Sequence, residues 1–155
     1  MKRNKHIHSL FLVLILFTGC NFKSIYERSV NTDNGEWNKG KAFNFEIPVS
    51  DTINGYNIFI ELRNNNEYPY SNLYLFINTN SPNGASKKDT VELTLADDKG
   101  KWLGNGLGGV RSNELLFKNN IRFPVSGNYK IEILQGMRDE VLKGIMDIGL
   151  RVEKK

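Results

Sequence analysis

The sequence runs to 155 residues, with 21 lysines and arginines against 17 acids, a formal net charge of +4, one cysteine and two histidines. That length fits one ordinary domain, and a lone cysteine excludes any disulfide within the chain. Both histidines, His6 and His8, fall within the first eight residues, so imidazole chemistry is confined to the extreme N-terminus.

The first predicted element is a leader. Lys2, Arg3 and Lys5 precede the apolar run Leu10-Phe11-Leu12-Val13-Leu14-Ile15-Leu16-Phe17, and Thr18-Gly19-Cys20 follows. A cationic start, a short apolar stretch and small residues before a cut describe a secretory signal peptide. The run is far short of the ~20 residues a membrane-spanning helix needs. Small residues ending in Gly-Cys resemble the bacterial lipoprotein signal, with Phe17 where that pattern usually has Leu. The Cys20 thiol then receives a diacylglyceryl group and becomes the first mature residue. Residues 1–19 are therefore read as leader and Cys20 as the lipid attachment site.

Cleavage there leaves a mature chain without histidine, its one thiol converted to a thioether. Ser-His-Asp triads, Cys-His pairs and the usual zinc sites all need imidazole or thiolate. The expectation is a protein that is not an enzyme, with no catalytic residues, no cofactor and no metal. The leader carries three of the basic residues and none of the acids, which leaves 18 against 17, or +1. Such a balance gives no electrostatic footprint for nucleic acid.

Residues 20–40 have scattered apolar positions and many turn formers, and read as a lipidated tether whose Trp37 docks on the domain edge. Residues 41–155 read as the domain. Phe43, Phe45 and Ile47 alternate with polar neighbours up to Pro48, and Tyr56, Ile58, Ile60 and Leu62 alternate up to Asn64-Asn65-Asn66. Leu73, Leu75 and Ile77 alternate too, and Tyr74 and Phe76 make the opposite face apolar, which predicts a central strand covered on both sides. Val91 to Leu95, Leu115 to Phe123 and Tyr129 to Ile133 continue the period of two. Ser81-Pro82-Asn83-Gly84, Asp97-Asp98-Lys99-Gly100 and Ser126-Gly127-Asn128 supply turn chemistry between them. Residues 135–143 look more helical and predict a single helical turn. The last strand, Ile145 to Val152, is expected to send Met146, Ile148, Leu150 and Val152 inward. The sum is an all-β, jelly-roll-like antiparallel β-sandwich.

Within that frame, Gly104-Asn105-Gly106-Leu107-Gly108-Gly109 lacks the Gly-Lys-Ser/Thr or strand–loop–helix setting of a phosphate loop. It reads as a wide hairpin turn or bulge. Asp89, Asp97 and Asp98 lack calcium-loop spacing and read as solvated turn residues. Tyr68, Tyr70, Tyr74, Trp102 and Phe117 either pack across strands or form an aromatic binding face for glycan or protein. The ring of Trp102 is expected over the glycine-rich loop. Arg138-Asp139-Glu140 reads as charged surface, and Arg111 and Arg151 as partners of acids across the sheet.

Three blocks in order carry a family resemblance. They are Glu67-Tyr68-Pro69-Tyr70-Ser71-Asn72-Leu73-Tyr74-Leu75-Phe76, then Asp89 to Asp97 running into Gly100-Lys101-Trp102-Leu103-Gly104-Asn105-Gly106, then Met137-Arg138-Asp139 with Gly144 to Lys154. Together they resemble the gliding-motility lipoprotein family GldH of the Bacteroidetes. The resemblance implies a lipid-anchored cell-envelope protein that supports gliding machinery and the associated type IX secretion system. Its implied partners are the membrane, through the lipid, and other envelope proteins of that machinery. Only Cys20 carries over as a site. Asn21-Phe22-Lys23-Ser24 lacks the acidic cluster expected of surface-exported lipoproteins of this group, which predicts the periplasmic face of the outer membrane. The alternative is a lipid-anchored glycan-binding β-sandwich module.

Overall fold

The computed structural model describes residues 24–155. The leader and Cys20 lie outside the described residues. Among the described residues ten strands follow one another without a helix: β1 (Ser24–Asn31), β2 (Glu36–Asn38), β3 (Phe43–Val49), β4 (Tyr56–Asn65), β5 (Asn72–Asn80), β6 (Ser86–Thr94), β7 (Val110–Ile121), β8 (Gly127–Gln135), β9 (Val141–Lys143) and β10 (Ile145–Lys154). One sheet has the order β1-β10-β4-β7 and the other β3-β8-β5-β6, while β2 and β9 form a small ribbon. All pairings are antiparallel. The antiparallel sandwich expected from the alternation is the fold.

The period-two pattern explains the layers. Phe43, Phe45, Ile47 and Val49 of β3 are buried, and the residues between them are exposed. Ile58, Ile60 and Leu62 of β4 meet Ile148, Leu150 and Val152 of β10 on the inner face of the first sheet. Leu73, Leu75 and Ile77 of β5 and Ile131 and Ile133 of β8 face them from the second. Each such side chain contributes about 1.5–3 kcal/mol when fully enclosed, and with no disulfide this packing carries the domain.

The strands also set two ends. Ser24 pairs with Glu153, Lys154 with Tyr56, and Tyr56 with Ile121. The start of β1 therefore shares an end, the near end, with the β3–β4 loop, the β7–β8 loop and the β5–β6 turn, whose Pro82 lies against Gly127. At the far end Asn31 pairs with Asp147 and Asn65 with Val110.

Five expectations differ from the structure. The segment read as a tether joins the sandwich from Ser24 onward. β1 is a full edge strand on β10, and β2 pairs Trp37 with Leu142 of β9. Trp37 is 0% exposed, its Nε1 donates to Lys41 O at 2.8 Å, and its ring stands edge-on to Phe43 at 5.0 Å. It belongs to the core and does not merely dock on the edge.

The stretch 135–143 has no helical turn. The buried Gln135 amide takes over the local backbone: its Nε2 donates to Asp139 O at 2.8 Å and its Oε1 accepts from Met137 N at 2.9 Å. Val141–Lys143 is then a strand.

β5 is central but covered on one face only. Tyr74 is 39% and Phe76 47% exposed, because the sandwich has two layers and, among the described residues, no third layer covers this outer face. In β10 the inward set begins at Ile145 and not Met146. A register shift between Ile145 and Asp147 buries Ile145 fully and leaves Met146 half-buried. Pro48, expected to end its strand, lies inside β3, which as an edge strand tolerates a residue lacking an N–H.

Candidate functional site

The aromatic residues singled out in the sequence do not all gather. Phe117 lies on β7 in the first sheet, away from the others. Tyr68 is buried, its hydroxyl donating to Asn72 O at 2.7 Å. Its ring supports Tyr70 edge-on at 5.8 Å. Tyr70, Tyr74 and Trp102 remain at the surface of the far end. Tyr70 donates to Asp139 Oδ2 at 2.7 Å and Tyr74 to Glu92 Oε2 at 2.9 Å. Trp102 is half-buried and donates to Asn66 Oδ1 at 3.1 Å. It reaches this position by pairing with Ala96 across the turn.

Tyr70 and Trp102, with Glu92, Asp97 and Asp98, surround a hollow of about 550 Å³ between the β4–β5 loop and the 97–102 turn, and Tyr74 adjoins it through its bond to Glu92. Its electrostatics are fixed by the tyrosines. The bond to Asp139 pushes the Tyr70 phenol above its ordinary value, and the bond to Glu92 does the same for Tyr74. Glu92 in turn accepts from Asn72 Nδ2 at 2.6 Å, and that bond together with Tyr74 holds its carboxyl below the usual range. Burial raises Tyr68 further. The rings are therefore locked by bonds to the protein, and it is their faces that are offered outward. Such rigid aromatic surface suits binding to another molecule.

Beside the hollow, the outer face of β5 adds Phe76. Gly136 lets the next loop lie against it: a Cβ there would stand 3.2 Å from Phe76 Cζ and from Tyr74 Cβ. Met137 Sδ accepts from Tyr74 N at 3.4 Å. On the other side of Trp102 the glycine-rich loop carries Leu103 and Leu107, the latter 97% exposed. The loop is the wide turn expected, with Asn105 bridging Ser112. A Cβ on Gly106 would meet Val110 O at 2.1 Å, and Gly108 sits at φ +69°, so both positions need glycine. Phe76, Met137 and Leu107 were missed as surface candidates. Leu107, a lone large apolar residue among four glycines, was legible; the exposure of Phe76 depends on the layer count.

The polar candidates are dispersed. Asp97 Oδ1 accepts from Lys99 N and Lys101 N, both at 2.9 Å, closing its own turn. Asp98 is exposed beside it, and Asp89 is near the other end, 3.0 Å from Lys118 Nζ. The three aspartates do not converge, and among the described residues no group of three metal-ligating side chains occurs. Arg151 bonds Glu61 at 2.7 Å and also reaches Glu114 and Glu153, lying over the Phe59 ring. That is the cross-sheet pairing expected. Arg111 instead donates to Gly108 O at 2.8 Å and so ties down the glycine-rich loop. Arg63 pairs with the buried Asp147 at 2.5 Å, a partnership the sequence did not suggest. Asp139 of the charged triplet serves Tyr70, while Glu140 lies 3.6 Å from Lys39.

Residues 24–152 match the family described as GldH lipoprotein. A protein of Christiangramia forsetii, "Gliding motility lipoprotein GldH homolog", is 39% identical over 148 residues, covering 91% of this chain and 90% of its own length. "Gliding motility lipoprotein GldH" of Flavobacterium johnsoniae is 34% identical over 160 residues and covers 99% of each. Among solved structures, the VP2 subviral particle of infectious bursal disease virus aligns at 13% identity and a TM-score of 0.37, over 83% of this chain and 33% of that one. TmCBM61 in complex with beta-1,4-galactotriose aligns at 12% and 0.33, over 83% and 88%. Neither structural likeness is close enough to carry an argument.

Proposed function

We propose that this chain, which belongs to the GldH lipoprotein family, is a lipid-anchored, non-enzymatic component of the cell envelope that supports gliding motility and the associated type IX secretion. The observation that carries the reading is near end-to-end similarity to the Flavobacterium johnsoniae protein named gliding motility lipoprotein GldH. Cys20 bears the lipid in this reading, and the protein sits on the periplasmic face of the outer membrane. It acts by holding other envelope proteins through the far-end surface of Tyr70, Tyr74, Phe76, Trp102 and Leu107. Confinement to one membrane raises effective concentration, so a modest interface suffices.

The glycan-binding alternative is less favoured. Of the five aromatics that suggested it, Tyr68 is buried and Phe117 lies elsewhere, and the polar atoms of the remaining three already bond to protein.

The test is deletion of the gene in a gliding host, followed by complementation with the native sequence, with Cys20→Ala and with a Phe76→Asp, Leu107→Asp double variant. Loss of gliding on deletion, rescue by the native sequence alone and normal abundance of the double variant are expected. Intact gliding and secretion after deletion would remove the machinery assignment. Full rescue by Cys20→Ala would remove the anchor from the mechanism.

A further inference from the structure

At the near end the sandwich is not closed. Along the inner face of β6 the sequence passes from Leu93 and Val91 to Asp89 and Lys87, and β7 turns away through Ile121 into Arg122-Phe123-Pro124. Between these two edge strands a cleft of about 300 Å³ opens to solvent. Its walls are apolar: Ile58, Phe117, Ile121, Phe123 and Ile131. Its rim is cationic. Lys118 lies 4.2 Å from the Phe117 ring centre and 3.0 Å from Asp89. Lys87 reaches the same carboxylate at 3.5 Å. Arg122 is exposed at the mouth with no acid within 4 Å among the described residues.

Inward charges are an ordinary protection for an edge strand, which accounts for Lys87 and Asp89. They do not account for an open apolar hollow behind them, of the size at which ligand pockets begin. Position supplies the occupant. The cleft shares its end with Ser24, the first residue of β1. Cys20 stands four residues before Ser24, a reach of at most about 14 Å even if fully extended. A lipid on Cys20 therefore holds this end against the headgroups. Ile53, 79% exposed on the adjoining β3–β4 loop, and the rim cations then face the bilayer together.

We propose that the cleft between β6 and β7 binds an acyl chain of an anionic phospholipid of the anchoring membrane, with Arg122, Lys118 and Lys87 receiving its phosphate. The inference rests on the reading of Cys20 as the lipid site. It makes the protein a reader of the leaflet it sits in, since a zwitterionic lipid offers the cations no net charge.

The mature, detergent-extracted protein is reconstituted into vesicles of phosphatidylcholine and phosphatidylglycerol containing a trace of phosphatidylglycerol with a photoreactive group near the end of one acyl chain. After illumination, adducts are located by peptide mass spectrometry. The expected adducts fall in residues 117–123 and 79–89. A surface cation is worth about 1 kcal/mol toward an anionic leaflet, so Arg122→Glu lowers their yield by about fivefold or more. Ala85→Trp, an exposed substitution at the mouth, lowers it too. The phosphatidylcholine version of the probe labels the cleft less. Labelling confined to residues 21–24 and the Ile53 loop overturns the proposal. So does cleft labelling that neither variant changes, or equal labelling by both probes. The intact mass of the same preparation reports on Cys20 separately. A free thiol with a labelled cleft removes the anchor and keeps the site, and a lipidated Cys20 with an unlabelled cleft removes the site alone.

Discussion

Replacing Trp37 by alanine tests whether the segment before residue 40 is structural. The indole is enclosed between the β2–β9 ribbon and β3. Truncation of a buried Trp costs about 3–5 kcal/mol. The edge-on contact with Phe43 adds about 0.5–1.5 kcal/mol beyond the area buried, and loss of Nε1 strands the Lys41 carbonyl. The upper half of the first range is therefore expected, against a total of roughly 5–15 kcal/mol for a domain. Trp37→Phe keeps the ring contact and loses the hydrogen bond, for about 1–2 kcal/mol. Urea unfolding followed by circular dichroism measures both, and the midpoint should fall with an unchanged slope. A loss below about 1 kcal/mol for the alanine variant, the range of surface changes, would refute the reasoning and return residues 24–40 to the status of a tether draped on the domain.

Gly144→Ala should be more damaging than its size suggests. Gly144 has φ +80° and a Cβ there would stand 2.2 Å from Tyr68 N, so urea unfolding should lose more than the ~1–2 kcal/mol of left-handed backbone alone. Asp51 accepts from Ile53 N and the neighbouring Asn54, with Lys154 beyond, and these hold its carboxyl well below the usual range. A depressed carboxylate supports the fold above its unfolded value and loses that support as pH falls through the folded one. Asp51→Asn should therefore flatten the acid limb of the stability curve and leave the slope near neutrality unchanged. Tyr74 has the opposite sign. Its raised phenol supports the fold below the ordinary value and stops doing so as pH rises through the raised one. In Glu92→Gln, phenolate absorbance should appear at lower pH than in the parent, and an unchanged titration would deny the Tyr74–Glu92 bond.

How much of this was legible differs from residue to residue. Strands β3, β4, β5 and β8 alternate cleanly because each has one face in a common core, and period two is what such a face imprints. β1 leaves no such trace. As an edge strand with only Tyr26 and Val30 packed inward, it is held mainly by backbone bonds to β10, which any sequence can make. The 135–143 stretch misled because helical composition is a local property, whereas the Gln135 side chain that prevents a helix acts through its burial. Ile148, Leu150 and Val152 of β10 face inward as the alternation implies, and only at the strand's start does a bulge change the parity and put Ile145 in the place expected of Met146, since neither residue is chemically barred from the core. For the surface, the blocks around Tyr70 and Trp102 marked the right region. Which aromatics face outward follows from the number of layers, and a sequence period does not encode that.

The pairing of β1 with β10 has a mechanical consequence. Ser24 opposes Glu153 and Asn31 opposes Asp147, so β1 runs from the near end to the far end along the length of its partner. If the lipid proposed on Cys20 pulls before Ser24 and a proposed partner is held at the far end, tension lies along the strands. Every β1–β10 hydrogen bond then shares the load at once and the joint fails by sliding, not by opening like a zip. A moving envelope assembly could drag on this domain and the anchored strand would be among the last parts to yield.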